Sequence, residues 1–211
     1  MEIDYKKLVI VNHSINGILS NDNDIFKKSS TVKDYKKISI LYKDFEKNFD
    51  TLKVRNEINK EKLLKIFNFD VSIYNKNIYE FSSGEKKEIA ILKVLSDNPD
   101  LIVLDDPFSN LDYKIKIKLV NILKKLKNDY NKTIIIKSSN IKDLYFVCDN
   151  ISVFNKSKML YNVEKKDFIN KFKDFEPIEF SEYLLKEKNR KIGYYDNVKD
   201  LIKAVYRDVG Y

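Results

Sequence analysis

Two successive carboxylates, Asp105 and Asp106, directly follow the apolar run LIVL at residues 101–104. Such a run is typical of a strand buried on both faces of a parallel sheet, and ligands bind at the carboxyl ends of these strands. The position of Asp105 suits a magnesium ligand, and Asp106 lies one step further, where a phosphate and an attacking water would be held. Alternatively, an acidic pair followed by Pro107 ends a strand and solvates the loop after it.

A second candidate site lies upstream, at Ser82, Ser83, Gly84 and Glu85. A serine three residues before a glutamate, ahead of an apolar-periodic run, is the capping-box pattern, which satisfies free backbone donors at the start of a helix. The same helix N-terminus can bind an anion, because its unpaired N–H groups point outward and the helix dipole favours negative charge. The four residues by themselves leave both interpretations open.

Alternating strands and helices must position these groups. Apolar, β-branched runs predict strands at residues 7–11, 36–42, 100–106 and 133–137, and a closing hairpin at 150–161. Apolar residues at helical spacing predict a helix over 115–126 and a short amphipathic helix over 55–69. The order strand, helix, strand from residue 100 to residue 137 indicates an α/β protein with a mainly parallel sheet.

Composition narrows the class of protein. The chain has 211 residues, of which 43% are hydrophobic, enough for one core and a small appendage. Its net charge of +8 comes almost entirely from lysines spread along the chain, which argues against a dedicated nucleic-acid surface. The single cysteine, Cys148, lies among apolar neighbours and is expected in the core. The N-terminal apolar run, residues 8–11, is too short for a signal peptide or a membrane span, so a cytosolic protein is expected.

In order, spacing and chemistry, the central segments resemble the nucleotide-binding subunits of ATP-binding-cassette (ABC) proteins. FSSGE (81–85) resembles the family's signature motif, and LIVLDDP (101–107) resembles its Walker B strand. SNLD resembles the D-loop that crosses to the partner subunit; its residues are Ser109, Asn110, Leu111 and Asp112.

Weaker likeness extends outward from these motifs. Residues 52–58 are similar to the segment after the family's Q-loop, and residues 133–160 to its last core strand, switch region and closing hairpin. The resemblance implies an α/β, P-loop-NTPase-like ABC cassette over residues 1–161, with a shortened helical subdomain at 55–80. Residues 162–211, which the resemblance does not cover, are predicted to form a helical C-terminal tail.

The sequence departs from the family at the phosphate-binding loop. A Walker A loop, GxxxxGK[ST], needs two glycines five positions apart to wrap backbone N–H groups around phosphates. The four glycines are Gly17, Gly84, Gly193 and Gly210, and no pair has this spacing. After residues 8–11, where the loop is expected, the chain resembles the strand that normally follows it. We therefore predict a cassette truncated at the P-loop.

Other family positions carry unexpected residues. Asp106 occupies the position of the catalytic glutamate and is one methylene shorter, and Ser139 occupies that of the switch histidine. Lys43 or Asp44 stands where the Q-loop glutamine is expected. The only histidine, His13, is expected to be a loop or core residue without a catalytic role. These departures argue against independent ATP hydrolysis.

The resemblance implies a division of labour between subunits. In ABC dimers each ATP lies between the Walker residues of one subunit and the signature helix of the other. We therefore expect Ser82, Ser83, Gly84 and Glu85 to contact ATP and Mg²⁺ held by an intact ABC ATPase subunit. The complex would be a heteromeric transporter with a membrane permease, placing this cytoplasmic chain at the inner face of the plasma membrane. Its own nucleotide site is expected to be empty, although Asp105 could still ligate magnesium.

Other hypotheses stay open. The chain could be a non-catalytic regulatory or scaffold protein on an ABC fold that no longer engages ATP. A soluble ABC ATPase of nucleic-acid repair or translation is disfavoured by the lack of long heptad arrays and of a second cassette. A decayed gene product is disfavoured by the intact apolar patterning. In the tail, the stripe Val198, Leu201, Ile202 and Val205 predicts a last helix that packs on the domain itself or on a partner.

Overall fold

The computed structural model describes residues 8, 10–21, 35–58, 60–155 and 158–171. Within these residues, six strands form one sheet in the order β2-β3-β4-β1-β5-β6. The strands are β1 (Ile15–Leu19), β2 (Ile38–Leu41), β3 (Leu101–Asp105), β4 (Thr133–Ser138), β5 (Asn150–Asn155) and β6 (Lys158–Glu164). The first five run parallel, and β6 pairs with β5 in the antiparallel sense. The predicted α/β class and mainly parallel sheet are confirmed.

Five α-helices accompany the sheet in the described part of the chain. They are α1 (Val54–Glu57), α2 (Ser83–Ser96), α3 (Tyr113–Tyr130), α4 (Ile141–Tyr145) and α5 (Phe168–Lys171). Between α1 and α2 the chain forms short 3₁₀ segments at 61–67, 71–75 and 78–80. α3 begins where Asp112 accepts a hydrogen bond from the Ile115 N–H and ends at Asn131, whose φ of 52° stops the helix.

Both faces of the sheet are covered by apolar groups. The five residues of β3 are all buried, with Ile102 and Leu104 facing the larger core that α2 and α3 complete. Leu101 and Val103 face a smaller cluster on the other side, together with Ile18 of β1. This alternation confirms that the apolar run at 101–104 is a strand buried on both faces.

The first strand of the sheet is not where the sequence predicts it. The structure describes residues 8, 10 and 11 of the predicted strand 7–11, and none of them is in a strand. β1 lies further along the chain, between β4 and β5. Asn16 and Gly17 interrupt the apolar pattern of β1, so the sequence does not predict this strand. Inside the sheet the Asn16 amide is satisfied, because it accepts the Val11 N–H at 2.8 Å and donates to the Ile134 carbonyl at 3.2 Å.

The predicted helix over 55–69 is also wrong as a single element. α1 ends at Ile58, which has extended backbone angles, and a separate 3₁₀ segment covers 61–67. Asn68, with a φ of 62°, ends that segment. Apolar spacing identified the buried residues Leu64 and Phe67 but could not show that the backbone breaks between the two pieces.

β6 runs through Tyr161, the predicted end of the cassette, to Glu164. Beyond β6, Phe168 is fully buried and its ring lies 5.6 Å from that of Tyr145 in α4. Residues 172–211, including the predicted last helix, lie outside the described residues. In the ranges given above, none of the helices combines the length and apolar character needed to cross a bilayer.

Candidate functional site

A small pocket of about 90 Å³ opens at the carboxyl edge of the sheet. Segments that follow β1, β2, β3 and β4 form its wall, as expected for a ligand site in a parallel sheet. The lining residues are Ser20, Asn21, Lys43, Asp106, Lys137, Ser138 and Ser139. Three predicted positions therefore meet here: the catalytic-carboxylate position Asp106, the switch position Ser139, and Lys43, one of the two candidates for the Q-loop position.

β1 enters this pocket, which corrects the predicted place of the phosphate-binding loop. Ser20 and Asn21 line the pocket directly after the strand, so such a loop would follow Leu19 and not Val11. The segment resembling the next strand of the family is in fact the central strand that leads into the site. Residues 18–83 contain no glycine, so the corrected position also lacks the glycine pair. Residues 22–34 lie outside the described residues.

Asp105, the predicted magnesium ligand, is already paired with a cation. The Nζ of Lys137 lies 2.9 Å from its Oδ1, and the two side chains are 4% and 11% exposed. The pair follows from sheet register, because Asp105 of β3 lies beside Lys137 of β4. In the part of the chain that the structure describes, no three His, Cys, Asp or Glu side chains cluster to hold a metal. The ion pair therefore occupies one oxygen of the carboxylate that the sequence assigns to magnesium.

Asp106 lies in a tight, left-handed turn with a φ of 55°. Its N–H donates to the Lys137 carbonyl at 2.8 Å, which closes β3 against β4. Its own carbonyl accepts a hydrogen bond of 2.7 Å from the Nζ of Lys87, which comes from α2. Hydrogen bonds from both sides therefore hold the backbone of Asp106, and Asp106 lines the pocket.

Lys87 is a buried cation under the predicted D-loop, and only 1% of the residue is exposed. Besides Asp106, its Nζ contacts the Ser109 carbonyl at 2.8 Å and the Ser109 Oγ at 2.6 Å. Burial lowers the pKa of Lys87 to about 8, although the nearby Asp106 carboxylate acts in the opposite direction. Sequence reasoning missed both Lys87 and Lys137, since lysines are abundant and neither lies in a quoted motif position with a known role.

The remaining D-loop residues connect this anchor to α3. Asn110 is exposed with a φ of 58°, Leu111 is buried, and Asp112 caps α3. A Cβ built on Gly84 would lie 3.5 Å from the Asn110 carbonyl, so the D-loop passes beside the start of α2. The predicted signature and D-loop positions are thus neighbours in the fold.

The N-terminus of α2 is accessible to solvent. Ser82 and Ser83 are exposed, and Gly84 is partly exposed. Ser82 and Glu85 form the predicted capping box: the Ser82 Oγ accepts the Glu85 N–H at 3.3 Å, and the Glu85 carboxylate accepts the Ser82 N–H at 2.9 Å. Hydrogen bonds from Ser82 lower the pKa of Glu85, so a negative charge already lies at this helix end.

His13 lies at the opposite edge of the sheet. It precedes β1 in a turn with a φ of 53°, its N–H donates to the Thr133 Oγ1 at 3.0 Å, and its ring contacts the Asn131 carbonyl. Since Thr133 begins β4, this position is at the amino end of the parallel strands, away from the pocket. The contacts are those of a turn residue, as the sequence suggested.

Comparison with known proteins shows which proteins the chain resembles. Residues 7–109 match the family model described as ABC transporter. The energy-coupling factor transporter ATP-binding protein EcfA2 of Staphylococcus aureus is 30% identical over 136 residues, 64% of this chain and 45% of that protein. An uncharacterized ABC transporter ATP-binding protein of Methanocaldococcus jannaschii is 29% identical over 136 residues, 62% of this chain and 44% of that protein. The matches span less than half the length of these curated relatives.

Solved structures show the same fold at lower sequence identity. The ATP-binding subunit of an ABC transporter superposes with a TM-score of 0.65 at 12% identity, covering 78% of this chain and 84% of that chain. A dimeric bacterial ABC transporter cassette gives 0.63 at 18% identity, covering 75% and 88%. ABC ATPase domains generally bind ATP and Mg²⁺. The chain therefore has the ABC cassette fold, residues 7–109 are similar to the ABC transporter family model, and the sequence relatives named above are ABC transporter ATP-binding proteins.

Proposed function

We propose that this protein is a hydrolysis-deficient ATP-binding-subunit homologue of an ABC transporter, which lends the N-terminus of α2 to ATP held by an intact partner subunit. The observation that carries this proposal is the accessibility of Ser82 and Ser83, which leaves the helix end open to a second molecule. The pocket at the strand ends does not include residues 82–85. The two halves of a nucleotide site are thus separate on this chain, as sharing between subunits requires.

The chain's own half lacks the groups that hydrolysis needs. Residues 18–83 contain no glycine that could wrap around a polyphosphate, and Asp105 is bound to an internal ammonium. Asp106 offers a carboxylate one methylene shorter than glutamate, on a backbone held by hydrogen bonds on both sides. Ser139 supplies a hydroxyl at the pocket where the family has an imidazole. We infer that this half does not polarise an attacking water.

The N-terminus of α2 is the half of the nucleotide site that would be donated to the partner, and it has groups that suit a phosphate. The Ser82 hydroxyl and free N–H groups at the start of α2 can each make charge-assisted hydrogen bonds, worth about 1.5–3 kcal/mol apiece. The Glu85 carboxylate now accepts the Ser82 hydroxyl at 2.7 Å and would repel an incoming γ-phosphate. Binding of ATP therefore requires Glu85 to rotate away, and this makes the donated half weaker than a neutral cap would be.

The relatives suggest the setting of this shared site. They are ATP-binding proteins of transporters, so we infer a membrane permease and a second, intact ATPase subunit as partners. The chain would be cytoplasmic and attached to the membrane through that complex. The cassette would then contribute closure of the dimer around the partner's ATP and Mg²⁺, and the partner would contribute catalysis.

The test is a tagged full-length chain purified from its native host with its bound partners. Ser82→Arg should reduce the ATPase rate of the co-purified complex at least tenfold, because a bulky side chain blocks the helix end. Ser72→Arg, at an exposed serine outside α2, is the matched control and should leave the rate unchanged. Robust ATP turnover by the purified chain alone, abolished by Asp106→Asn, would refute the proposal.

A second candidate is a regulatory or scaffold protein that no longer engages ATP. The small pocket and the Glu85 charge on the helix end favour it. This candidate predicts that the chain remains bound to its partners when ATP is removed and that Ser82→Arg changes neither assembly nor partner activity. The same purification therefore separates the two candidates.

A further inference from the structure

We propose that the Lys137 ammonium takes the place of the divalent cation at Asp105, so that this end of the sheet works without a metal. The Nζ lies 2.9 Å from Oδ1 of the carboxylate, and both side chains are almost entirely buried. The proposal concerns the chain's own strand ends and does not depend on donation of α2 to a partner.

The ammonium and a magnesium ion exclude each other at this carboxylate. Mg²⁺ requires near-octahedral oxygen ligands at about 2.0–2.1 Å and keeps several of its waters. The Lys137 Nζ already contacts Oδ1 and carries positive charge, which a buried environment screens poorly. The backbone of β4 fixes the base of this side chain, since Lys137 lies in register with Asp105. A metal could bind only if the lysine left the sheet interior.

A second internal cation completes the arrangement. Lys87 reaches the turn after β3 from the α2 side and donates to the carbonyls of Asp106 and Ser109 at 2.7 and 2.8 Å. The end of β3 is therefore fixed by Lys137 at Asp105 and by Lys87 at Asp106. Both cations are covalent parts of the chain, so the Asp105–Ser109 segment holds its conformation before any nucleotide or metal arrives.

Removing the lysine should create a metal site. Lys137→Met leaves Asp105 buried without a counter-charge, and we expect the melting temperature to fall by about 6–20 °C. Added Mg²⁺ or Mn²⁺ should restore part of this loss in a saturable manner, because the ion can now neutralise the carboxylate. The matched control is Asp105→Asn combined with Lys137→Met, which should recover stability and show no response to either ion.

A measurement on the wild-type chain tests the proposal independently of the variants. Mn²⁺ titrated with a non-hydrolysable ATP analogue, followed by electron paramagnetic resonance, should show no protein-bound Mn²⁺ that depends on Asp105. A bound signal that Asp105→Asn removes would overturn the proposal, even if Lys137→Met fails to fold. Unchanged stability of Lys137→Met would also overturn it, as would a loss of stability that neither ion relieves.

Discussion

Lys87→Met should change stability in a way that depends on pH. At neutral pH the wild-type protein buries a charged ammonium under the turn that follows β3, where it binds the carbonyls of Asp106 and Ser109. The methionine keeps a similar volume but removes both the charge and the hydrogen bonds. The sign and size of the change in stability therefore depend on the free-energy cost of burying the Lys87 charge.

The pKa of Lys87 gives the magnitude. Folding lowers it from 10.5 to about 8, so the folded state releases the proton more readily than the unfolded state does. Between pH 8 and pH 10.5 the unfolded state binds more protons, and stability must rise with pH. The burial of the charge costs about 3 kcal/mol at pH 7, and about 2.5 kcal/mol of this is relieved by pH 10.

The two contributions nearly cancel at neutral pH. Loss of the hydrogen bonds leaves buried carbonyl groups without a donor, at a cost of about 1–3 kcal/mol. Relief of the charge offsets this at pH 7, so Lys87→Met should be close to neutral there. By pH 10 most of this relief has disappeared, so between pH 7 and pH 10 the variant should lose about 2.5 kcal/mol of stability relative to wild type.

Urea unfolding followed by circular dichroism at several pH values between 7 and 10 measures this difference. The other titrating groups are common to both proteins, so their contributions cancel to first order in the comparison. Lys87→Gln is a useful control, because its amide retains a donor for the turn without the charge. A difference between wild type and Lys87→Met that stays constant across this pH range would refute the reasoning.

Three further predictions concern packing, the helix end and the catalytic position. Gly17→Ala should lower the free energy of unfolding by about 1–3 kcal/mol, because its Cβ would lie 2.9 Å from the Cys148 Sγ and 3.1 Å from the Ile151 Cγ1; adding Cys148→Ala should recover part of the loss in urea denaturation. Glu85→Gln should strengthen binding of an ATP analogue to the co-purified complex several-fold, since Gln can still accept the Ser82 N–H without repelling phosphate; an unchanged affinity in a filter-binding assay would contradict this. Asp106→Glu should not confer ATP turnover on the chain alone, because the phosphate grip is missing, and measurable phosphate release would show that reasoning to be wrong.

Sequence reasoning succeeded where local patterns are strong. The uninterrupted run at 101–104 identified β3, and the Ser82–Glu85 pair identified the start of α2, because each depends on neighbours in the chain. It failed at β1, where Asn16 and Gly17 break the apolar alternation. The Asn16 amide finds its partners on Val11 and Ile134, and the contact across the sheet is invisible in a local window.

The electrostatics of the site could not be predicted for a related reason. Lys137 looks like the polar end of an apolar run, and only the register of β4 against β3 brings it to Asp105. Lys87 looks like one of many surface lysines on an amphipathic helix, yet the fold buries it under a turn. Both cases depend on how distant segments pair, whereas the motif positions Asp105 and Asp106 could be recognised from their place after a strand.

The order of the strands has a consequence for synthesis on the ribosome. β1 is among the first parts of the described chain to emerge, yet Ile15 pairs with Ile134 and Gly17 with Ile151. Its two neighbours are therefore translated more than a hundred residues later, and the nascent chain carries an unpaired central strand throughout that interval. The polar Asn16 lowers the tendency of β1 to aggregate before β4 and β5 have been translated. Fragments that end before β5 should therefore be unfolded after release, even though they contain the motifs at residues 81–112.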